Sequence, residues 1–345
     1  MIRALVRKSQ DVSYLVGDRA DELEGCRDAA GWWWRGGGDA TSERDVAAVL
    51  RTSPRSSVTG YDLVFAAPRA ISILLALDPA SSGALVEAQR RAVGGALDYL
   101  ERRALVVPVT HDGERFGASA AWAQVVGFTH GISRAGEPHL HDHVLVGARP
   151  AQHRGVLDSR ALRVHLPAAD ALYRAALRFE VNATTSWRVW ARAGGEHVAG
   201  VDEGYRALWP GHDDRRAPKQ HWSREAAVGR WRDERERLWP IGTLEPPNTT
   251  GFDAHAYAAA FEGALSIHRA DLVRAWADAS PYGAAPGAVD RAIDTQHPGR
   301  RFERGLSRYQ FTVEEARSPV REGPVRTRPA QRSRDIGRDE WSRVR

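Results

Sequence analysis

The chain has 345 residues, 42% of them hydrophobic, enough for a sizeable core in one large domain or two smaller ones. No stretch approaches the uninterrupted apolar length that crosses a bilayer. The basic N-terminus MIRALVRKSQDVSYLVGD has too short an apolar run for a secretory signal, so neither membrane insertion nor export is expected. The single cysteine, Cys26, excludes an internal disulfide framework and fits a reducing cytoplasm.

The formal net charge is +5, and of the 49 basic residues only Lys8 and Lys219 are lysines. Arginine suits forked phosphate contacts and stacking on bases. A GC-rich genome gives the same bias, so charge alone does not assign a nucleic-acid partner. Twelve tryptophans are unusually many; some must be core, while aromatics beside arginines also suit stacking on single-stranded bases.

Residues 1–12 alternate apolar and polar at Ile2, Ala4 and Val6 and read as a short strand. Residues 13–60 hold a polar stretch, the segment GWWWRGGGDA and a short helix around SERDVAAVL. VTGYDLVFAAP reads as a strand ending at Pro68, which opens an apolar helix carrying Ser72, Leu74 and Leu75. Residues 81–105 have helical periodicity. ASAAWAQVVGFTH and HLHDHVLVGAR read as two strands, and the short Gly/Pro connector GISRAGEP between them predicts an antiparallel hairpin. Residues 158–195 read as mostly helical. Residues 205–250, rich in Trp, Arg and Pro, carry no clear periodicity, and 253–294 read as two or three short helices. From Ser318 the chain is rich in Arg, Pro and Glu with few apolar residues, the composition of a disordered tail. There is no internal repeat, no G-x-x-x-x-G-K-[ST] phosphate loop and no Cys-x-x-Cys pattern.

The strongest chemical signal is PHLHDHVLV. On a strand His139, His141 and His143 share one face, with Leu140, Asp142 and Val144 on the other. His130 ends the preceding strand, and hairpin pairing brings it beside His141 and His143. Neutral imidazoles converging on one point make a divalent-metal site with open positions for a substrate oxygen. Ligand chemistry alone favours zinc, nickel or manganese over magnesium. A cupin-like metal enzyme also uses an H-x-H strand, but the carboxylate it wants shortly afterwards is missing.

FTHGISRAGEPHLHDHVLV resembles the F-x-H…S-R…P-x-L-H-x-H segment of MobF-type conjugative relaxases, the TrwC/TraI group of HUH endonucleases. GYDLVFAAPRAISILLAL resembles that family's G-x-D-L-T-F-S-x-P-K-S-V-S block, AQRRAVGGALDYLE its next helix, and QDVSYLVGD the segment that carries its catalytic tyrosine. The resemblance spans roughly residues 1–220. IHRADLVRAW…GAAPGAVDRAID is similar to the helical linker that precedes the helicase in longer members.

The resemblance implies an α+β fold: an antiparallel sheet with helices mainly on one face, plus a small C-terminal helical region. It suggests a relaxase domain at 1–240, a linker-like helical region at 241–312 and an Arg-rich tail at 313–345. It implies metal-dependent nicking and rejoining of single-stranded origin-of-transfer DNA through a 5′-phosphotyrosyl intermediate. Tyr14 is then the nucleophile, and His130, His141 and His143 are the metal ligands; His139 falls at a variable position. Asp62 is an acidic partner that orients a ligand imidazole or takes the tyrosine proton, and Arg69, Arg134 and Trp34 are DNA contacts. The family implies Mg2+ or Mn2+, with a separate helicase and a coupling ATPase as further partners in the cytoplasm. Many members carry paired tyrosines, whereas here Leu15 follows Tyr14, and Ala66 and Ala70 stand where the family prefers serines. Such departures also fit a weakly active or inactive DNA-binding relative, and an HUH replication initiator is a related alternative.

Overall fold

The computed structural model describes residues 1–16, 31–51, 56–111, 114–133, 135–192, 195–201, 203–209, 222–237, 246, 251–262 and 267–296. Arg134 and the expected tail at 313–345 lie outside the described residues.

The chain opens with β1 (Ile2–Arg7), β2 (Trp32–Arg35), the short helix α1 (Glu43–Ala47) and β3 (Gly60–Ala66). Helices α2 (Arg69–Ser72), α3 (Leu74–Leu77) and α4 (Ser82–Ala104) follow, then a hairpin of β4 (Val106–His111) and β5 (Glu114–Ser119). A second hairpin, β6 (Val125–Ile132) and β7 (Pro138–Gly147), leads into the long helix α5 (Ser159–Thr184). Strands β1, β3, β7, β6 and β2, in that order, form one five-stranded sheet in which every pairing is antiparallel.

Alternation gives the sheet two unlike faces. Leu63, Phe65, Leu140, Val144, Val146 and Val125 point to one side and join the main core with α4 and α5. Helix α4 meets them with Leu85, Ala88, Ala92, Val93, Ala96, Leu97 and Leu100, the i, i+3, i+4 stripe of an amphipathic helix. The alanines of this stripe and those of α5 let the two helices lie close together. The other face carries Val126, Phe128 and Leu145. These are covered by a smaller core made of Val12, Leu15 and Val16 with Val46, Val49 and Leu50. The α+β class with helices mainly on one face is thus as the sequence implies.

Register on β6 and β7 is pinned from beneath. Asp142 faces the helical side, fully buried, directly opposite Thr129. It accepts from the Thr129 hydroxyl at 2.6 Å and from Trp32 Nε1 at 3.3 Å. Its carboxyl is nonetheless raised above the usual carboxylate range, because burial outweighs these hydrogen bonds. A one-residue slip would break the pair and turn every β7 side chain to the wrong face.

One reading of the sequence is corrected, and two unassigned segments gain structure. The helix expected to run to residue 195 stops at Thr184, and β8 (Val189–Arg192) and β9 (Gly195–Val198) form a hairpin. The amide of Asn182 accounts for the stop: it donates to Val189 O at 2.8 Å and accepts from Val189 N at 2.7 Å, imitating a strand partner. The triple tryptophan Trp32–Trp34, unassigned in the sequence, forms edge strand β2. Helix α6 (Glu203–Leu208) runs into the start of the unassigned stretch 205–250, and α7 (Arg224–Glu236) lies within it. The C-terminal part adds α8 (Ala254–Ala259), α9 (Arg269–Asp278) and α10 (Ala288–Gln296), whose Tyr257, Leu272, Val273 and Ile293 join the main core. Buried Arg178 of α5 ties this part down, reaching Glu196 at 2.9 Å and the carbonyls of Ala277 and Ser280.

Helix α7 clasps the β6–β7 turn. Trp231 Nε1 donates to Gly136 O at 2.7 Å, and Arg230 donates to Ala135 O at 3.0 Å. Gly136 has φ +75°, and a Cβ there would meet the Trp222 ring at 2.4 Å. Gly136→Ala is therefore expected to lower stability by more than about 1 kcal/mol, from left-handed strain and a ring that must move. Equilibrium denaturation of the variant measures the loss.

Candidate active site

The histidine face of the sheet holds the site. His130 and His141 are direct cross-strand partners, and His143 lies one step along β7, opposite Phe128 on one side and Val64 on the other. All three are buried, with ring centroids 5.1–5.5 Å apart. One nitrogen from each falls within 4.8 Å of the others, the spacing of donors that share one ion.

Hydrogen bonds fix which nitrogens remain. His141 Nδ1 donates to the His139 carbonyl at 2.9 Å, and His143 Nδ1 donates to the Asp62 carboxylate at 2.9 and 3.1 Å. In both residues Nε2 is left as the lone-pair donor, the pattern that orients metal-binding imidazoles. Burial with three imidazoles nearby holds the His141 ring neutral, its pKa well below the ordinary histidine value. A neutral, convergent, three-nitrogen set with a carboxylate behind one ligand fits a divalent cation. His139, on the same face, packs against His141 with ring centroids 4.6 Å apart and planes tilted by 34°, but contributes no nitrogen to the cluster, so strand spacing alone overstates its part.

Asp62 is buried at the centre of β3, opposite Leu145, and reaches His143 on the diagonal. The same carboxylate accepts from the Tyr14 hydroxyl at 2.9 Å. Tyr14 gets there because its neighbours are anchored. Asp11 caps a tight turn through Ser13, and Leu15 N and Val16 N bond back to Val12 O. Val12, Leu15 and Val16 plug the smaller core, leaving Tyr14 as the half-buried side chain that overhangs the sheet. Its ring meets His143 edge-on at 6.2 Å, and the Arg7 guanidinium lies 4.7 Å from its centroid. The structure thus brings Tyr14, Asp62, His130, His141 and His143 into one cluster.

Two expected DNA contacts do not join it. Arg69 turns its guanidinium onto the chain itself: Nη2 pairs with Glu137 at 2.6 Å, Nη1 donates to Pro138 O at 2.8 Å, and Nε donates to Trp209 O. Its donors brace the start of β7 rather than facing a ligand. Trp34 points to the helical face, against Gly94 of α4 and edge-on to Trp122 at 6.2 Å. Arg134 lies outside the described residues. Sequence reasoning passed over Arg7 and did not see that Asp142 locks the register. An arginine seven residues before the tyrosine, on a strand face set by Ile2 and Ala4, was the available signal for Arg7.

The family model of the TrwC relaxase matches residues 6–211. The chain belongs to the TrwC relaxase family, whose members are DNA relaxases. Its fold is similar to that of a metal-bound conjugative relaxase TrwC in complex with oriT DNA: TM-score 0.54, 19% identity, 68% of this chain and 98% of that one covered. A TrwC complex with a 27-mer DNA comprising the recognition hairpin and the cleavage site is similar at TM-score 0.53 and 19% identity, with the same coverage. A metal-free TrwC–oriT complex reaches TM-score 0.53 at 20% identity, again covering 68% of this chain and 98% of that one. No curated protein sequence matches the chain. Among the described residues no single helix is long and apolar enough to cross a membrane.

The neutral histidines give a pH dependence. Burial lowers His141 well below, and His139 to about 4 from, the ordinary value of 6.5. Far from the site, His165 is also lowered to about 4, accepting from the Tyr99 hydroxyl. Below pH 6.5 the unfolded chain takes up protons that the folded chain refuses, so stability falls as pH drops toward the folded-state values. Thermal unfolding in chelator is expected to show Tm declining steadily from pH 7 to pH 5, and His165→Gln to make that decline shallower.

Proposed function

We propose that this chain nicks and rejoins single-stranded DNA at an origin of transfer, with Tyr14 as the nucleophile. The observation that carries the reading is the Asp62 carboxylate, shared between the Tyr14 hydroxyl and a histidine of the cluster. A phenol ordinarily ionises near pH 10 and attacks poorly at neutral pH. Asp62 is positioned to accept the phenolic proton as the oxygen attacks phosphorus. The Tyr14 Oη–P bond forms and the P–O3′ bond breaks. The leaving 3′ oxygen takes a proton from water, and the 5′ phosphate stays on the enzyme. Reverse attack by the 3′ hydroxyl reseals the strand without ATP, because the phosphotyrosyl ester conserves the bond energy.

His130, His141 and His143 are the residues that would hold a divalent cation. When bound, such an ion supplies Lewis-acid polarisation of a phosphate oxygen. Their donor set suits manganese, zinc or nickel on chemical grounds, and the family points to magnesium or manganese. The metal-bound TrwC complex with oriT DNA and the TrwC complex with a DNA that contains the cleavage site support both the substrate and the ion. A single tyrosine in this position supports one transfer event per protein, with a separate helicase and a coupling ATPase acting in the cytoplasm.

Incubation of the protein with labelled single-stranded oligonucleotides from the flanking DNA and manganese is expected to give a denaturation-resistant adduct. Tyr14→Phe is expected to abolish it, and a variant that still forms it removes Tyr14 as nucleophile. His141→Ala is expected to lose bound metal in equilibrium dialysis; unchanged occupancy would overturn the ligand assignment.

A further inference from the structure

Strand β1 is the edge of the sheet: it pairs with β3 on one side, and among the described residues no strand pairs with the other. Ile2 and Ala4 turn to the main core, so Arg3, Leu5 and Arg7 share the histidine face. Arg3 is exposed, and among the described residues its guanidinium has neither an ion pair nor a hydrogen bond. Leu5 is 49% exposed although it lies directly opposite Asp62, an apolar side chain left in water at the edge of the site. Arg7 lies over the Tyr14 ring; its Nη2 donates to Asp11 O at 2.5 Å, its Nε is buried without a hydrogen-bond partner, and no carboxylate pairs with it among the described residues. The strand IRALVR contains no acidic residue to neutralise the two cations.

The register places this row relative to the reaction. Arg3 is level with Val64 and, one strand further, with His143, so about 10 Å separates its backbone from that ligand's. An arginine side chain covers most of that gap. Four residues on, about 13–14 Å along the strand, Arg7 stands at the nucleophile. One cation therefore sits at the histidine end of the site and one at the tyrosine end, with an exposed apolar residue between them. A single strand laid along this edge would meet phosphate, then sugar or base, then phosphate.

We propose that Arg3, Leu5 and Arg7 form a track for the backbone of single-stranded DNA, holding the phosphates that flank the one attacked. The proposal rests on the nicking reading given above and adds the path of the substrate strand. Arg3 takes over the phosphate-binding role that Arg69 cannot fill while its donors are spent on Glu137, Pro138 and Trp209.

The test is binding of a labelled single-stranded oligonucleotide of mixed sequence in chelator, followed by fluorescence anisotropy across a salt series. Each phosphate contact on a single strand contributes about 0.7 to the slope of log K against log salt. Arg3→Gln is expected to weaken binding several-fold at low salt and to reduce the slope by about 0.7. Arg3→Lys should restore the slope. Arg160→Gln, an exposed arginine on α5 behind the sheet, should change neither quantity. An Arg3→Gln variant with wild-type affinity and slope, or one no weaker than Arg160→Gln, overturns the track. Because no metal is present, the result is independent of cleavage. Arg3-dependent binding by a protein that forms no covalent adduct with manganese would support the track and sink the nicking reading. Failure of the wild type to bind any single strand would sink both.

Discussion

A buried carboxylate must be matched by donors or it destabilises the fold, and Asp62 is matched by the two groups the chemistry needs. His143 Nδ1 and the Tyr14 hydroxyl both donate to it. The bond to His143 sets that ring's tautomer and aims its other nitrogen at His130 and His141. The bond to Tyr14 draws a side chain from the N-terminal turn across to the central sheet. Neither half of the site is built by itself: the cluster belongs to β6 and β7, the tyrosine to a turn anchored in the smaller core, and β3 joins them.

The rest of the fold serves that junction. On one face, α4 and α5 give the sheet a rigid backing of alanines and leucines. Within that backing the Asp142–Thr129 pair fixes which residues of β7 look outward. On the other face, Val12, Leu15 and Val16 are buried so that Tyr14 is held over the histidines. At the hairpin tip, α7 and Arg69 grip the turn through Gly136, Ala135, Pro138 and Glu137. The segment with the least periodicity thus holds the hairpin that carries the ligands.

Much of the site was legible in the sequence because strand alternation is a hard rule. H-x-H with a histidine across a short turn can hardly avoid convergence, and the family resemblance selected His130 over His139. The part that was not legible is long-range and side-chain-specific. Arg69 and Trp34 were expected as DNA contacts, but their direction depends on Glu137, Trp209 and Trp122, which no local pattern brings near. Likewise the hairpin at 189–198 hides in a helical composition, and only the pairing of Asn182 with Val189 reveals the break. Conversely Arg3 and Leu5 looked like ordinary strand residues. Their interest comes from being unmatched at a sheet edge beside the tyrosine.

The central claim is that one carboxylate serves both the ion and the nucleophile. The most direct measurement is Asp62→Asn, assayed for manganese affinity and for covalent adduct with single-stranded DNA in the same preparation. The account predicts metal affinity lower by about 10–100-fold, as for other partners that orient ligand histidines. It also predicts that adduct formation stays depressed when manganese is raised to saturation. Unchanged affinity, or full recovery of the adduct at saturating metal, would contradict it.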